Sequence, residues 1–223
     1  VDASQYSNAP HKGGLGYTEI VDFSKKVPGW NNINFDDKEW QASEVKGYPI
    51  STLVSDPNQN VKETEEYASE ILLMGIVEDC NVDFDEEERK TIDFVIQNTL
   101  DYKTKLPTDS VIINPEGLTG SGICQINPPG EGKAISIMLR YDSMMVGYNQ
   151  LVIEGAKGTI VDIINVEKIY GEDIDMNPHD NKRGWRVILS GGMDSFVQWE
   201  YEGFLYQQIK IRNISQPVKI HKS

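Results

Sequence analysis

The chain has 223 residues, of which 25% are charged and 39% apolar, and its net charge is −14. A chain of this length buries a sizeable core without a disulfide framework or a structural metal. Its acidic surface repels phosphate backbones and anionic lipid heads, which argues against nucleic acid and membrane-surface partners.

Residues 1–16, small, polar and glycine-rich, have the composition of a flexible tether. Residues 17–23 alternate weakly, as a strand would. Residues 28–57 carry Trp30, Trp40, Tyr48 and several turn residues, and short strands or irregular structure are expected there. A helix is predicted over 60–76: Asn60 and Glu63 resemble a capping box, and Tyr67, Ala68, Ile71, Leu72 and Gly75 recur at helical spacing. A second helix is predicted over 85–102, with Asp85 and Glu88 at its start and Ile92, Val95, Ile96, Thr99 and Leu100 as its buried stripe. The longest apolar run, Ile71 to Val77, is far short of the roughly 20 residues a membrane helix needs, so no membrane insertion by this segment is expected.

After Pro107 the texture changes to short runs rich in Val and Ile, separated by Gly, Pro and Asn. Strands are predicted at 110–113, 122–126, 133–141, 150–154, 159–169, 184–189, 196–202 and 204–211, as in an antiparallel meander. The expected fold class is therefore α+β: a curved antiparallel β-sheet with two helices packed on one face. Residues 17–106 hold the short strands and helices, residues 107–223 the β-rich part, and the two parts are expected to pack as one domain. The expected core contains Ile71, Leu72, Ile92, Val95, Ile96, Leu100, Ile135, Ile137, Leu139, Ile163, Val187, Leu189, Val197 and Trp199.

One motif suggests nucleotide chemistry. Ser190-Gly191-Gly192-Met193-Asp194-Ser195 looks like the pyrophosphate loop of ATP-using adenylylating enzymes. Such a loop needs a helix after it, so that backbone N–H groups and the positive helix end face the anion. Here Val197, Trp199 and Tyr201 alternate with Gln198, Glu200 and Glu202, which is the period of a strand. The glycines are better read as hairpin-loop residues. The ATP reading stays only as an alternative, beside a purely structural surface domain.

The remaining motifs are weaker. Asp79, Asn81 and Asp83 fall at calcium-loop positions, but Phe84 stands where the turn needs glycine and Lys90 where a bidentate glutamate belongs. Asp173, Asp175, Asn177, His179 and Asp180 form an acidic loop with one histidine, a poor zinc set. The three histidines, His11, His179 and His221, lie in tether, loop or tail and pair with no nucleophile. No metal, cofactor or catalytic residue is predicted. Cys80 and Cys124, the two cysteines, are either a disulfide or two buried thiols. Trp185, Trp199, Tyr201, Phe204 and Tyr206 cluster in the last third. They either fill the core or line a groove for a peptide, lipid or sugar.

Val197-Gln198-Trp199, Gly203, Phe204 and Tyr206, after Gly184-Trp185 and the strand that follows, resemble the closing hairpin of a group of extracellular domains. These occur in lipoproteins and anti-sigma-factor-like membrane proteins of Gram-positive bacteria. The resemblance covers the C-terminal half and implies an α+β domain with a curved sheet outside the cytoplasm, anchored to the cell surface. It carries no functional residues over. The function expected is a non-enzymatic sensing or binding domain for a peptide, a cell-envelope component or a partner protein.

Overall fold

The computed structural model describes residues 19–44, 46–47, 63–79, 110–170, 173–174 and 184–223. Contacts divide the described residues into two compact units: those within 27–66, and residues 19–26 together with those within 67–223.

The larger unit is built from strands. In chain order they are β1 (Ile20–Asp22), β2 (Glu70–Glu78), β3 (Ile112–Ile113), β4 (Cys124–Ile126), β5 (Lys133–Gly147), β6 (Gln150–Glu154), β7 (Ile160–Val166), β8 (Ile169–Tyr170), β9 (Asp173–Ile174), β10 (Gly184–Ile188), β11 (Met193–Val197), β12 (Glu202–Arg212) and β13 (Val218–Lys222). Six form one sheet in the order β1-β10-β7-β12-β5-β2, five form a second in the order β11-β6-β13-β4-β3, and β8 pairs with β9 alone. Every pairing is antiparallel except β1 with β10.

The two sheets face each other across one core, the two-layer solution open to sheets with one apolar face each. The larger sheet contributes Ile135, Ile137 and Leu139 of β5, Val161 and Ile163 of β7, Trp185 and Val187 of β10, and Ile209 and Ile211 of β12. The smaller contributes Cys124 and Ile126, Leu151 and Ile153, Phe196, and Val218 and Ile220. Trp185 stacks on Phe196 across the layers, with ring centroids 4.8 Å apart. On the other face of the large sheet, Met138, Ile164 and Val166 form a second buried cluster. Close packing also fixes Gly117, in the 3-10 turn Pro115–Thr119: a Cβ there would lie 2.7 Å from the Cys124 nitrogen.

The α+β expectation is overturned: the chain is nearly all β. Among the described residues the only helical pieces are the 3-10 turns Phe23–Lys25 and Pro115–Thr119. The helix predicted over 60–76 is not formed where the chain is described. Residues 63–69 have no helix, and from Glu70 the segment is strand β2, laid against β5. Its apolar run Ile71–Val77 has no polar gap, so the helical spacing found there fits a strand equally well, and pairing with β5 decides. The helix predicted over 85–102 and the tether of residues 1–16 lie outside the described residues.

Seven of the eight predicted strands after Pro107 coincide with, contain or lie within an observed one. The eighth, 196–202, is displaced: β11 starts at Met193 and ends at Val197, and Gln198–Tyr201 are not strand. Nor does it fold back on the next strand as a hairpin. β11 pairs with β6 in the small sheet, whereas β12 lies between β5 and β7 in the large one. The polar stretch Gln198–Tyr201 is thus a crossover between layers.

In the smaller unit the described residues 28–44 are turns and bends. Phe35 rests on Trp40, with ring centroids 5.2 Å apart.

Candidate functional site

The Ser190–Ser195 loop lies between two strands: β10 ends at Ile188 and β11 begins at Met193. Among the described residues no helix follows it. Its own side chain already occupies the anion-binding groups. The Asp194 carboxylate, buried, accepts from the Ser190 N–H and the Ser190 hydroxyl, both at 2.8 Å. A phosphate here would compete with a fixed negative charge. Gly191 has φ +104°, and a Cβ on it would press on Lys157, so this glycine shapes a tight inter-sheet turn.

The five aromatic candidates separate into inside and outside. Trp185 is buried against Phe196, and Phe204 is buried edge-on to Tyr141 at 5.2 Å. Tyr206 packs half-buried on the second apolar cluster. Trp199 and Tyr201 are instead 83% and 66% exposed. The expectation that Val197 and Trp199 belong to the core is therefore wrong. The alternation expected over 196–202 ends at Val197, because Gln198–Tyr201 are not strand, and its phase is inverted: Asp194 and Phe196 point inward, Met193, Ser195 and Val197 outward. Phe196, not Trp199, is the ring that Trp185 needs.

Tyr201 meets a further ring from outside the five candidates. Tyr148, in the β5–β6 connection, is 54% exposed and meets Tyr201 edge to face at 6.2 Å. The main chain fixes these loops. Gln198 N–H donates to the Asn149 carbonyl at 2.9 Å, and Trp199 N–H donates to the Glu19 carboxylate at 2.9 Å.

Beneath the rings runs a row of buried amides. Asn149 Nδ2 donates to Gln198 Oε1. Gln207 Nε2 donates to Asn149 Oδ1 at 2.6 Å and to Asn165 Oδ1 at 3.2 Å. Asn165 Nδ2 closes the row on the Glu202 carboxylate at 2.6 Å. Asn149, Asn165, Gln198 and Gln207 are all at most 5% exposed. Each paired link of a buried amide row resists opening, because breaking it strands a polar group in low dielectric; Gln207 Oε1 is the atom of this row that is buried without a partner. The amides therefore lock the crossover and the β5–β6 connection into one platform, with three rings on its outside. The signal in the sequence was the pair Gln207-Gln208 inside an otherwise apolar strand, which demands buried partners.

A second polar cluster lies on the far face of the large sheet. Arg186 forks onto Asp162 at 2.5 and 2.9 Å, and Arg212 approaches the same carboxylate at 3.4 Å and Asp79 at 3.6 Å. Burial pulls the Arg186 pKa down, but the Asp162 charge and hydrogen bonds outweigh it and hold the pKa above its ordinary value. In this cluster the two guanidinium groups face the carboxylates of Asp162 and Asp79.

The other sequence candidates contribute little. Cys124 is a free, fully buried thiol rather than half of a disulfide; Cys80 lies outside the described residues. Burial, with Glu116 nearby, pushes the Cys124 thiol up to about 11, which leaves it inert. Of the calcium-like loop only Asp79 is described, and of the acidic 173–181 stretch only Asp173 and Ile174. Among the described residues no group of His, Cys, Asp and Glu is arranged to hold a metal, and no helix is long and apolar enough to cross a membrane.

No protein-family model and no curated protein matches the chain. Several solved structures do. The α-L-rhamnosidase from Aspergillus terreus is 12% identical with a TM-score of 0.49, over 98% of this chain and 19% of that one. The α-L-rhamnosidase from Dictyoglumus thermophilum is 14% identical with a TM-score of 0.44, over 96% of this chain and 18% of that one. A fucose binding module of Streptococcus pneumoniae is 13% identical with a TM-score of 0.30, over 51% of this chain and 84% of that one. The chain thus spans less than a fifth of the length of these two rhamnosidases.

Proposed function

We propose that this chain is a non-enzymatic binding domain outside the cytoplasm, tethered at the cell surface, which takes a neutral envelope glycan on the platform of Tyr148, Trp199 and Tyr201. The observation that carries this is three exposed rings on loops pinned by buried amides. Such rings offer flat apolar faces at little entropic cost, because the loops are already ordered. A sugar ring presents an apolar C–H face to an aromatic face and hydroxyls at its rim. Glu200, exposed beside Trp199, can accept from such hydroxyls. The net charge of −14 disfavours anionic ligands on the same surface. The glycine-rich composition of residues 1–16 suits a spacer to an anchor.

The test is a titration of the protein with a panel of neutral oligosaccharides, followed by tryptophan fluorescence and calorimetry. Binding that disappears in Trp199→Ala, with the thermal transition kept, supports the reading. A panel without a single binder, or a binder indifferent to Trp199→Ala and Tyr201→Ala, overturns it.

A further inference from the structure

The edge of the small sheet carries an inference independent of the glycan reading. β11 is the outermost strand and pairs with β6 on one side. Which of its main-chain groups face outward follows from the ladder. Gln198 N–H donates to the Asn149 carbonyl, and Gly155 N–H reaches the Gly192 carbonyl at 3.4 Å. Antiparallel ladders alternate inward and outward pairs. Asp194 and Phe196 therefore bond to β6, and the N–H and C=O groups of Met193, Ser195 and Val197 point away from the sheet. Among the described residues nothing pairs with that row.

Open edges are normally blunted by shortness, proline, lysine or a bulge. The other edges of this fold are blunted. β1 and β3 have three and two residues, and β2 has a register shift between Ile71 and Leu73. β11 has five residues, no proline, no lysine and an unbroken register. Two of its three solvent-facing side chains are apolar: Met193 and Val197 are 61% and 55% exposed on either side of Ser195, and Trp199 follows beyond the strand end at 83%. The N–H of Trp199 is taken by Glu19, so the row ends on a carboxylate, with exposed Glu200 beside it.

We propose that β11 receives an extended, basic peptide segment as an added strand. Main-chain bonds to Met193, Ser195 and Val197 hold it. Alternate apolar side chains lie on Met193 and Val197, and the cationic side chains between them, on the peptide's other face, answer the acidic charge of the chain. Charge selects this occupant over a second copy of the chain, which would bring −14 against −14.

The probe is a fluorescent decapeptide of alternating valine and lysine. It is compared with its valine–glutamate counterpart and with a version N-methylated at every second residue, all by anisotropy. The expected result is saturable binding of the lysine peptide, at least tenfold weaker binding of the glutamate and N-methylated peptides, and slowed amide exchange at Met193, Ser195 and Val197. Ser195→Pro, which removes an outward N–H without breaking a bond to β6, should weaken the lysine peptide tenfold and leave the oligosaccharide titration unchanged. No binding by the lysine peptide, or equal binding of the N-methylated peptide, overturns the proposal. So does sedimentation showing a dimer of the wild type that Ser195→Pro abolishes, because a second copy is then the occupant. A glycan panel without binders leaves these outcomes unaffected, so the two proposals fail separately.

Discussion

Trp185 and Trp199 belong to one stretch of sequence and have opposite fates. Trp185 is 1% exposed, stacked between layers on Phe196; Trp199 is 83% exposed on the crossover. The difference is one of parity and support. Trp185 stands on a strand whose two neighbours fix which face is inward. Trp199 lies just past the end of β11, on chain held outward because Gln198 beside it is drawn into the amide row. The middle of the unit spends its aromatic rings on cohesion, and this end leaves them for contact.

Removing cohesion should give the largest effect. Trp185→Ala deletes a buried ring from between the sheets and is expected to cost roughly 3–5 kcal/mol of unfolding free energy, measured by urea denaturation. A cost below about 1 kcal/mol would mean that the layers do not meet at this ring. Next comes the far face of the large sheet. Asp162→Ala leaves Arg186 and Arg212 buried without the carboxylate they share and is expected to cost about 3 kcal/mol. Asp162→Asn should recover part of that loss, because the amide still accepts from Arg186.

The same contrast shows what the sequence could tell. Strands such as β6 and β10 were legible because Val and Ile recur between clear turn residues. β2 was not. Its run Ile71–Val77 is apolar throughout, and only the β5 pairing makes it a strand. The site was half legible. Trp199 and Tyr201 stood out as aromatics, but nothing local says which parity of β11 faces the core. That is set by Trp185 from another sheet, which selects Phe196. Tyr148 was missed because its relation to Tyr201 exists only in three dimensions. Burial of Asp194 could have been anticipated from Ser190 nearby, which supplies both donors to its carboxylate.

A smaller effect appears on the alkaline side. Burial, with Glu116 adding to it, raises the Cys124 thiol from 9.0 to about 11, and burial raises the Tyr141 phenol from 10.0 to about 12. Both groups hold their protons longer folded than unfolded. Between pH 9 and 11 the native state therefore binds more protons, and the unfolding free energy falls as pH rises. The contribution of Cys124 is complete below pH 9 and is lost as pH climbs toward 11, by at most about 3 kcal/mol. Urea midpoints measured from pH 8 to 11 should decline, and Cys124→Ala should flatten the decline whatever it does to the midpoint at pH 8. An unchanged slope would place the thiol in a wetter setting than the core.

The smallest effect on stability should be the most informative about function. Trp199→Ala removes a ring that solvent already surrounds, so it should shift the unfolding free energy by less than about 0.5 kcal/mol. Its main-chain bond to Glu19 survives the substitution, and the loop keeps its course. Gln207→Leu makes the complementary change. It leaves every exposed ring in place but strands Asn149 and Asn165 without their shared donor, at about 1–3 kcal/mol. If the platform acts through its rings, Trp199→Ala loses oligosaccharide binding at full stability. Gln207→Leu should then weaken binding only as far as it loosens the loops, which the exchange rates of the Gln198 and Trp199 amides report. Equal loss of binding in both variants with unchanged exchange in the second would mean that the amides touch the ligand themselves.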